Sequence, residues 1–204
     1  MRIIKNITKI VIGILGLIAI IGGLIVGYVP AKYLHLPVNP EVVNSVIIPG
    51  AQKIIRYDVQ GADEATLEKA MMAEQKTLGG VGNTEWNIQT AYKMDNPNTP
   101  ECKIVNVTTT YTINVTLPRW TDPQDGSFFM NWEWNNFIRR VADHEEHHVQ
   151  IVLNNIDPIK HAIETSSCEN AQATFDAEIA RIKQLQADFD TQQKNEKLDP
   201  INLQ

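Results

Sequence analysis

The chain has 204 residues, with 18 basic side chains against 24 acidic ones and a formal net charge of −6. This modest acidic excess, with no basic stripe beyond the N-terminal residues 1–9, argues against nucleic-acid binding. The length that follows the N-terminal apolar run is enough for one domain with one core, and no internal repeat divides it.

Residues 1–9 carry Arg2, Lys5 and Lys9 and no acidic residue, and residues 10–29 form an unbroken uncharged run ending at Pro30. A run of about 20 residues matches the hydrocarbon core of a bilayer when helical. A cleaved signal peptide has a shorter apolar region and a small-x-small cleavage site, and no convincing triplet precedes Pro30. The expectation is therefore one uncleaved N-terminal transmembrane helix, a signal-anchor. Basic residues ahead of the span put residues 1–9 in the cytoplasm. The rest of the chain is then expected outside the inner (cytoplasmic) membrane, in the periplasm or another extracytoplasmic space. Residues 30–50, rich in proline and valine, read as a spacer, and residues 51–204 as the folded domain.

The first half of that domain is rich in strands. Lys53 to Gln60 alternates as a strand does, and Gly61 ends it. Asp63 is an N-cap for a short helix to about Lys76, with Leu67, Ala70 and Met71 inward. Gly79, Gly80 and Gly82 mark a turn. Thr84 to Met94 reads as a second strand with Trp86, Ile88 and Thr90 on one face. A turn at residues 95–100 leads to a long β-branched strand, Lys103 to Leu117, which Pro118 is expected to stop.

The second half is helical. Ser127 is an N-cap for a helix with an apolar stripe at Met130, Trp134, Phe137 and Val141, which runs into His144 and His148 and continues at Ile151. The two histidines lie one helical turn apart, so both imidazoles can reach one ion. Glu145 stands one residue round the helix, where its carboxylate reaches the ion's water without being a ligand. This is the His-Glu-x-x-His arrangement of zinc peptidases. A solvated charged face accounts for Glu146 and His147, but not for histidines in place of core hydrophobes. Asp157-Pro158 is expected to break or kink the helix. The last helix is expected to open with Ser166 and Glu169 at capping-box spacing. Its stripe is Ala171, Phe175, Ile179, Ile182, Leu185 and Phe189, and it would pack antiparallel to the motif helix as far as about Glu196. The fold class is α+β: a small antiparallel sheet with two long helices, zincin-like, behind the transmembrane helix.

Cys102 and Cys168, an even count without a CxxC pattern, read as one disulfide in an oxidising compartment rather than as a zinc site. The segments Tyr57-Asp58-Val59-Gln60-Gly61, Trp86, Cys102, Leu117-Pro118-Arg119-Trp120 and His144-Glu145-Glu146-His147-His148, in that order, resemble an uncharacterised bacterial family of predicted secreted zinc-dependent proteases. The resemblance implies that His144 and His148 are zinc ligands, that Glu145 is the catalytic carboxylate and that the cysteines pair. In that family the last helix ends in a tyrosine-aspartate pair and threonine, followed by histidine and glycine. Here Phe189-Asp190-Thr191 matches at Asp190, while the histidine position falls on Asn195.

A catalytic zinc takes three protein ligands and keeps one position open. A third histidine of the longer zincin pattern is excluded, because that position is Asn154. Asp190 and Glu164 rank ahead of His161 as the third ligand. The expected function is membrane-anchored zinc (Zn2+) metallopeptidase of the cell envelope, with Glu145 activating a zinc-bound water for hydrolysis of a peptide or protein substrate. Arg119 is a candidate oxyanion donor, although such arginines are more often solvated or ion-paired. Residues 108–112 offer a strand edge to substrate or, more simply, pair within the sheet. Trp120, Trp132 and Trp134 are assigned to core packing ahead of a cleft. The alternative function is a non-catalytic metal-binding or partner-binding envelope module with an incomplete zinc site. A di-iron protein needs a second Glu-x-x-His, which the chain lacks.

Overall fold

The computed structural model describes residues 42–195. The expected cytoplasmic segment, the expected transmembrane span and residues 30–41 of the expected spacer lie outside the described residues. Within them the order is β1 (Lys53–Val59), α1 (Glu64–Leu78), β2 (Asn83–Asp95), β3 (Lys103–Trp120), α2 (Phe128–Leu153), α3 (Ile156–Thr165) and α4 (Ala171–Asn195). Among these residues no helix is long and apolar enough to cross a membrane.

The sheet has three strands in the order β1-β3-β2. It is mixed rather than antiparallel. β2 and β3 form an antiparallel hairpin, from Asn83↔Thr116 to Asp95↔Lys103, and β1 runs parallel to β3, from Lys53↔Asn114 to Val59↔Trp120. Two connections between β1 and β3, through α1 and β2, allow the parallel pairing that a hairpin cannot make. Pro118 does not stop β3, which continues to Trp120 with Tyr57 opposite the proline. β2 pairing has already ended at Thr116, so one side of β3 is open there and a missing N–H on that side costs no ladder bond. Thr108 to Thr112 pair with Ala91 to Asn87 of β2, as sheet residues.

Side chains of β3 alternate into the core, where Ile113, Val115 and Leu117 are fully buried, and α3 packs over the strand with Ile159 and Ile163. Trp120 meets Trp134 of α2 with ring centroids 5.7 Å apart, and both are fully buried. Their role is core packing, whereas Trp132 is 55% exposed. The segment 42–48, expected as spacer, packs onto this core. Val43 donates its N–H to Asn135 Oδ1 (2.7 Å), the Asn44 amide bonds both the carbonyl (2.8 Å) and the N–H (3.2 Å) of Trp120, and Ile48 is buried.

Helix ends follow their caps. Asp63 and Thr66 form a reciprocal capping box on α1, Gly79 closes that helix in the left-handed conformation (φ 83°), and Ser127 Oγ accepts from Met130 N–H at the start of α2. The chain breaks after Leu153, at Asn154-Asn155, and Pro158 falls in the first turn of α3, where helix N–H groups have no intrahelical partner. Ser166 ends α3 rather than opening α4, which begins at Ala171 once Asn170 O accepts from Thr174 N–H (2.8 Å). The intervening turn carries Cys168, and its disulfide to Cys102 (Cα–Cα 6.2 Å) ties this turn to the start of β3.

Candidate metal centre

Helices α2 and α4 run antiparallel, with His144 facing Asp190 and His148 facing Gln186. On each helix the two facing residues are one turn apart, so four side chains meet in two adjacent layers. His144 Nε2 and His148 Nε2 are 3.2 Å apart, and Asp190 Oδ1 lies 3.4 Å from the first and 3.0 Å from the second. Tetrahedral zinc with bonds of about 2.0–2.1 Å spaces its ligands about 3.3 Å from one another. The triangle thus has the size that one such ion requires, and its donors, two imidazole nitrogens and a carboxylate oxygen, suit zinc chemically. His144, His148 and Asp190 form the one cluster of metal-ligating side chains among the described residues. The histidine side chains are 15% and 12% exposed and Asp190 47%, so the cluster opens to solvent on the α4 side.

The other proposed third ligands are elsewhere. His161 is exposed on α3, and Glu164 faces Lys160 at 3.9 Å. Asn195 is the last residue of α4.

Glu145 is the buried member of the motif, 3% exposed. The inward line of α2 runs through Trp134, Ile138, Val141, Glu145, Val149 and Val152, with the two histidines at its shoulder. Burial pushes the Glu145 carboxyl up to about 7. Thr84, whose Oγ1 donates to Glu145 Oε2 (2.7 Å), and His148 oppose that rise, while the nearby charge of Asp190 adds to it. The backbone at Gly82 passes so close to this carboxylate that an added Cβ would stand 2.8 Å from Glu145 Cγ. Tyr57 Oη holds the same loop by donating to Val81 O (2.7 Å), and burial raises its phenol well above the ordinary value.

These elements enclose a cleft of about 330 Å³, walled by residues 78–84, Trp86, the motif face of α2, and Gln186, Asp190 and Lys194 of α4. Phe189 closes the side of the motif, stacked on His147 at 4.0 Å and 5.0 Å from each of His144 and His148. Gln186 lies against His148 twice: its Oε1 against the ring Nδ1, and its Nε2 3.1 Å from the His148 carbonyl. Arg119 is not in the cleft wall; it pairs with Asp58 at 2.6 Å on the surface.

Sequence reasoning brings His144, Glu145, His148 and Asp190 to the site and misses Thr84, Gly82, Trp86 and Gln186. Gln186 carried a usable signal, one turn before Asp190 as His144 is one turn before His148. Thr84 and Gly82 carried none, because only the fold brings the β2 entry loop onto α2.

Fold and site together define an α+β protein with a candidate metal centre of two histidines and an aspartate. The chain belongs to the DUF922 family, described as bacterial protein of unknown function, whose family model matches residues 54–196. Neither the curated proteins nor the solved structures contain a match to the chain.

Proposed function

We propose that the protein is a membrane-anchored zinc metallopeptidase of the cell envelope, with the ion held by His144, His148 and Asp190 and with Glu145 as general base. The single observation that carries this reading is the 3.0–3.4 Å triangle of ligand atoms with a buried carboxylate beside it. When bound, zinc supplies Lewis acidity, lowering the pKa of a coordinated water to about 7 and polarising a carbonyl oxygen. The two imidazoles contribute neutral donors, and Asp190 contributes one negative charge that offsets part of the ion's. Glu145, held at Oε2 by Thr84, is the carboxylate that would take the proton of the attacking water and return it to the leaving amine. Burial raises that carboxyl to about 7 before the charge of an ion is added, and a bound dication would draw it back down.

A peptide substrate is supported by the sheet. β2 is an edge strand of the described sheet, and its residues Thr84 and Trp86 line the cleft, so an extended chain can add beside it. A motif helix, an antiparallel partner helix and a sheet edge that meet around the His144, His148 and Asp190 cluster support a zincin-like reading. An extracytoplasmic setting is supported by the Cys102–Cys168 disulfide and by the uncharged run of residues 10–29.

The test uses the full chain in detergent, purified without chelator and supplied with zinc. Hydrolysis of a peptide library is expected, together with its loss in Glu145→Gln while the zinc content stays at wild-type level. Zinc uptake with no hydrolysis of any library member leaves the alternative, a non-catalytic envelope module. Two histidines and one carboxylate also suit non-haem Fe(II), so elemental analysis of the chain as purified separates the two metals.

A further inference from the structure

We propose that Gln186 is a positioning residue that fixes the tautomer of His148 and aims its Nε2 lone pair at the cation site; the inference rests on the metal reading above. The two contacts of Gln186 decide the assignment between them. A backbone carbonyl only accepts hydrogen bonds, so the Gln186 atom 3.1 Å from the His148 carbonyl is the amide nitrogen. The amide oxygen is then the atom that faces His148 Nδ1. An amide oxygen only accepts, so Nδ1 carries the ring proton and Nε2 keeps its lone pair.

The opposite tautomer has its own support in the site. Asp190 Oδ1 stands 3.0 Å from His148 Nε2 and, without an ion, is an acceptor that draws the proton onto that nitrogen. A ring protonated there has no lone pair for a cation until the proton leaves. Gln186 offsets this pull from the other side of the ring, and its second bond, to the backbone of the same residue, holds the amide in the orientation that does so. Metal-bound histidines commonly rely on such an acceptor behind the ring, and its loss typically costs ten- to a hundred-fold in metal affinity.

Two substitutions separate this role from simple helix clamping. Gln186→Met keeps length and shape but removes both hydrogen bonds. Gln186→Glu keeps an acceptor for Nδ1 and loses the donor to the His148 carbonyl. Zinc affinity of the full chain in detergent, measured by chelator competition, is expected to fall about ten- to a hundred-fold in Gln186→Met and to be retained or increased in Gln186→Glu. In the zinc-loaded chain, the His148 Nδ1–H proton resonance is expected to be protected from exchange in wild type and Gln186→Glu and lost in Gln186→Met. Wild-type affinity in Gln186→Met overturns the inference, as does equal weakening in both variants, which is the signature of a clamp. Should Gln186→Met fail to fold, weakened zinc binding by a folded Gln186→Glu overturns it alone. A wild-type chain that takes up no zinc instead removes the metal reading itself, and this inference with it.

Discussion

Thr84 Oγ1 donates a 2.7 Å hydrogen bond to Glu145 Oε2, joining the first residues of β2 to the buried carboxylate of the motif helix. A carboxylate that is 3% exposed needs such a donor, because burial otherwise favours its neutral form. Thr84→Val keeps the shape and removes the donor. At neutral pH it is expected to destabilise the metal-free chain by about 1–3 kcal/mol, the usual cost of a buried acceptor left unsatisfied. It also drives Glu145 further toward protonation, so hydrolysis falls while zinc content does not. Urea unfolding and a zinc assay read the two effects, and unchanged stability and activity would count against the account.

Gly82→Ala tests the same carboxylate from the other side. The new Cβ meets the Glu145 side chain, with Cδ at 2.9 Å, so either the loop or the carboxylate shifts. A loss of about 1–3 kcal/mol is expected from such overpacking, with hydrolysis reduced and zinc retained. Gly79→Ala is the control. It meets no neighbour, and its penalty comes only from the left-handed backbone. An active Gly82→Ala would mean that Glu145 does not need its observed position.

The Cys102–Cys168 bridge spans a sequence separation of 66 residues. Loop-closure entropy puts its contribution at about 4 kcal/mol as an upper figure. The double Cys→Ser variant, or the reduced chain, is expected to unfold at markedly lower denaturant while keeping its helix content in buffer. No shift in the unfolding midpoint would show that the loop is already ordered without the bond.

Asp63 gives a pH dependence at the acid end. Hydrogen bonds from the Thr66 backbone and side chain hold its carboxyl below the ordinary 3.8. A depressed folded-state value means that the unfolded chain binds the proton first, so this stabilisation is fully present above about 3.8 and is lost as pH falls through the folded value. Asp63→Asn keeps a cap and removes that titration. Thermal melts of the two proteins are expected to converge as the pH is lowered below 3.8. A constant difference across that range contradicts the assignment.

The parts of this molecule that were legible in its sequence are those set by local chemistry. Asp63, Gly79 and Ser127 terminate helices where their side chains or φ angles demand it, and the His144–His148 spacing needs only helical geometry. Asp190 was legible only as one candidate beside Glu164, because the last amphipathic helix was expected to pack antiparallel to the motif helix across the intervening α3. The sheet was misread at two points, both long-range. β1 runs parallel to β3 where an antiparallel sheet was expected, and Pro118 is tolerated because β2 pairing ends at Thr116. Glu145 was expected beside the histidines but not beneath them, since which residue of a stripe is deepest depends on what packs against it. Thr84 and the Gly82 loop do that packing, and nothing in α2 announces them.

The central claim is a single ion shared by His144, His148 and Asp190, and X-ray absorption at the metal edge tests it most directly. The zinc-supplied full chain is predicted to hold one zinc, with two imidazoles and a carboxylate oxygen in its inner shell at about 2.0–2.1 Å and no sulfur. Asp190→Ala is predicted to lose that carboxylate and most of the zinc. A wild-type chain that stays metal-free in excess zinc, or an Asp190→Ala chain with an unaltered shell, contradicts it.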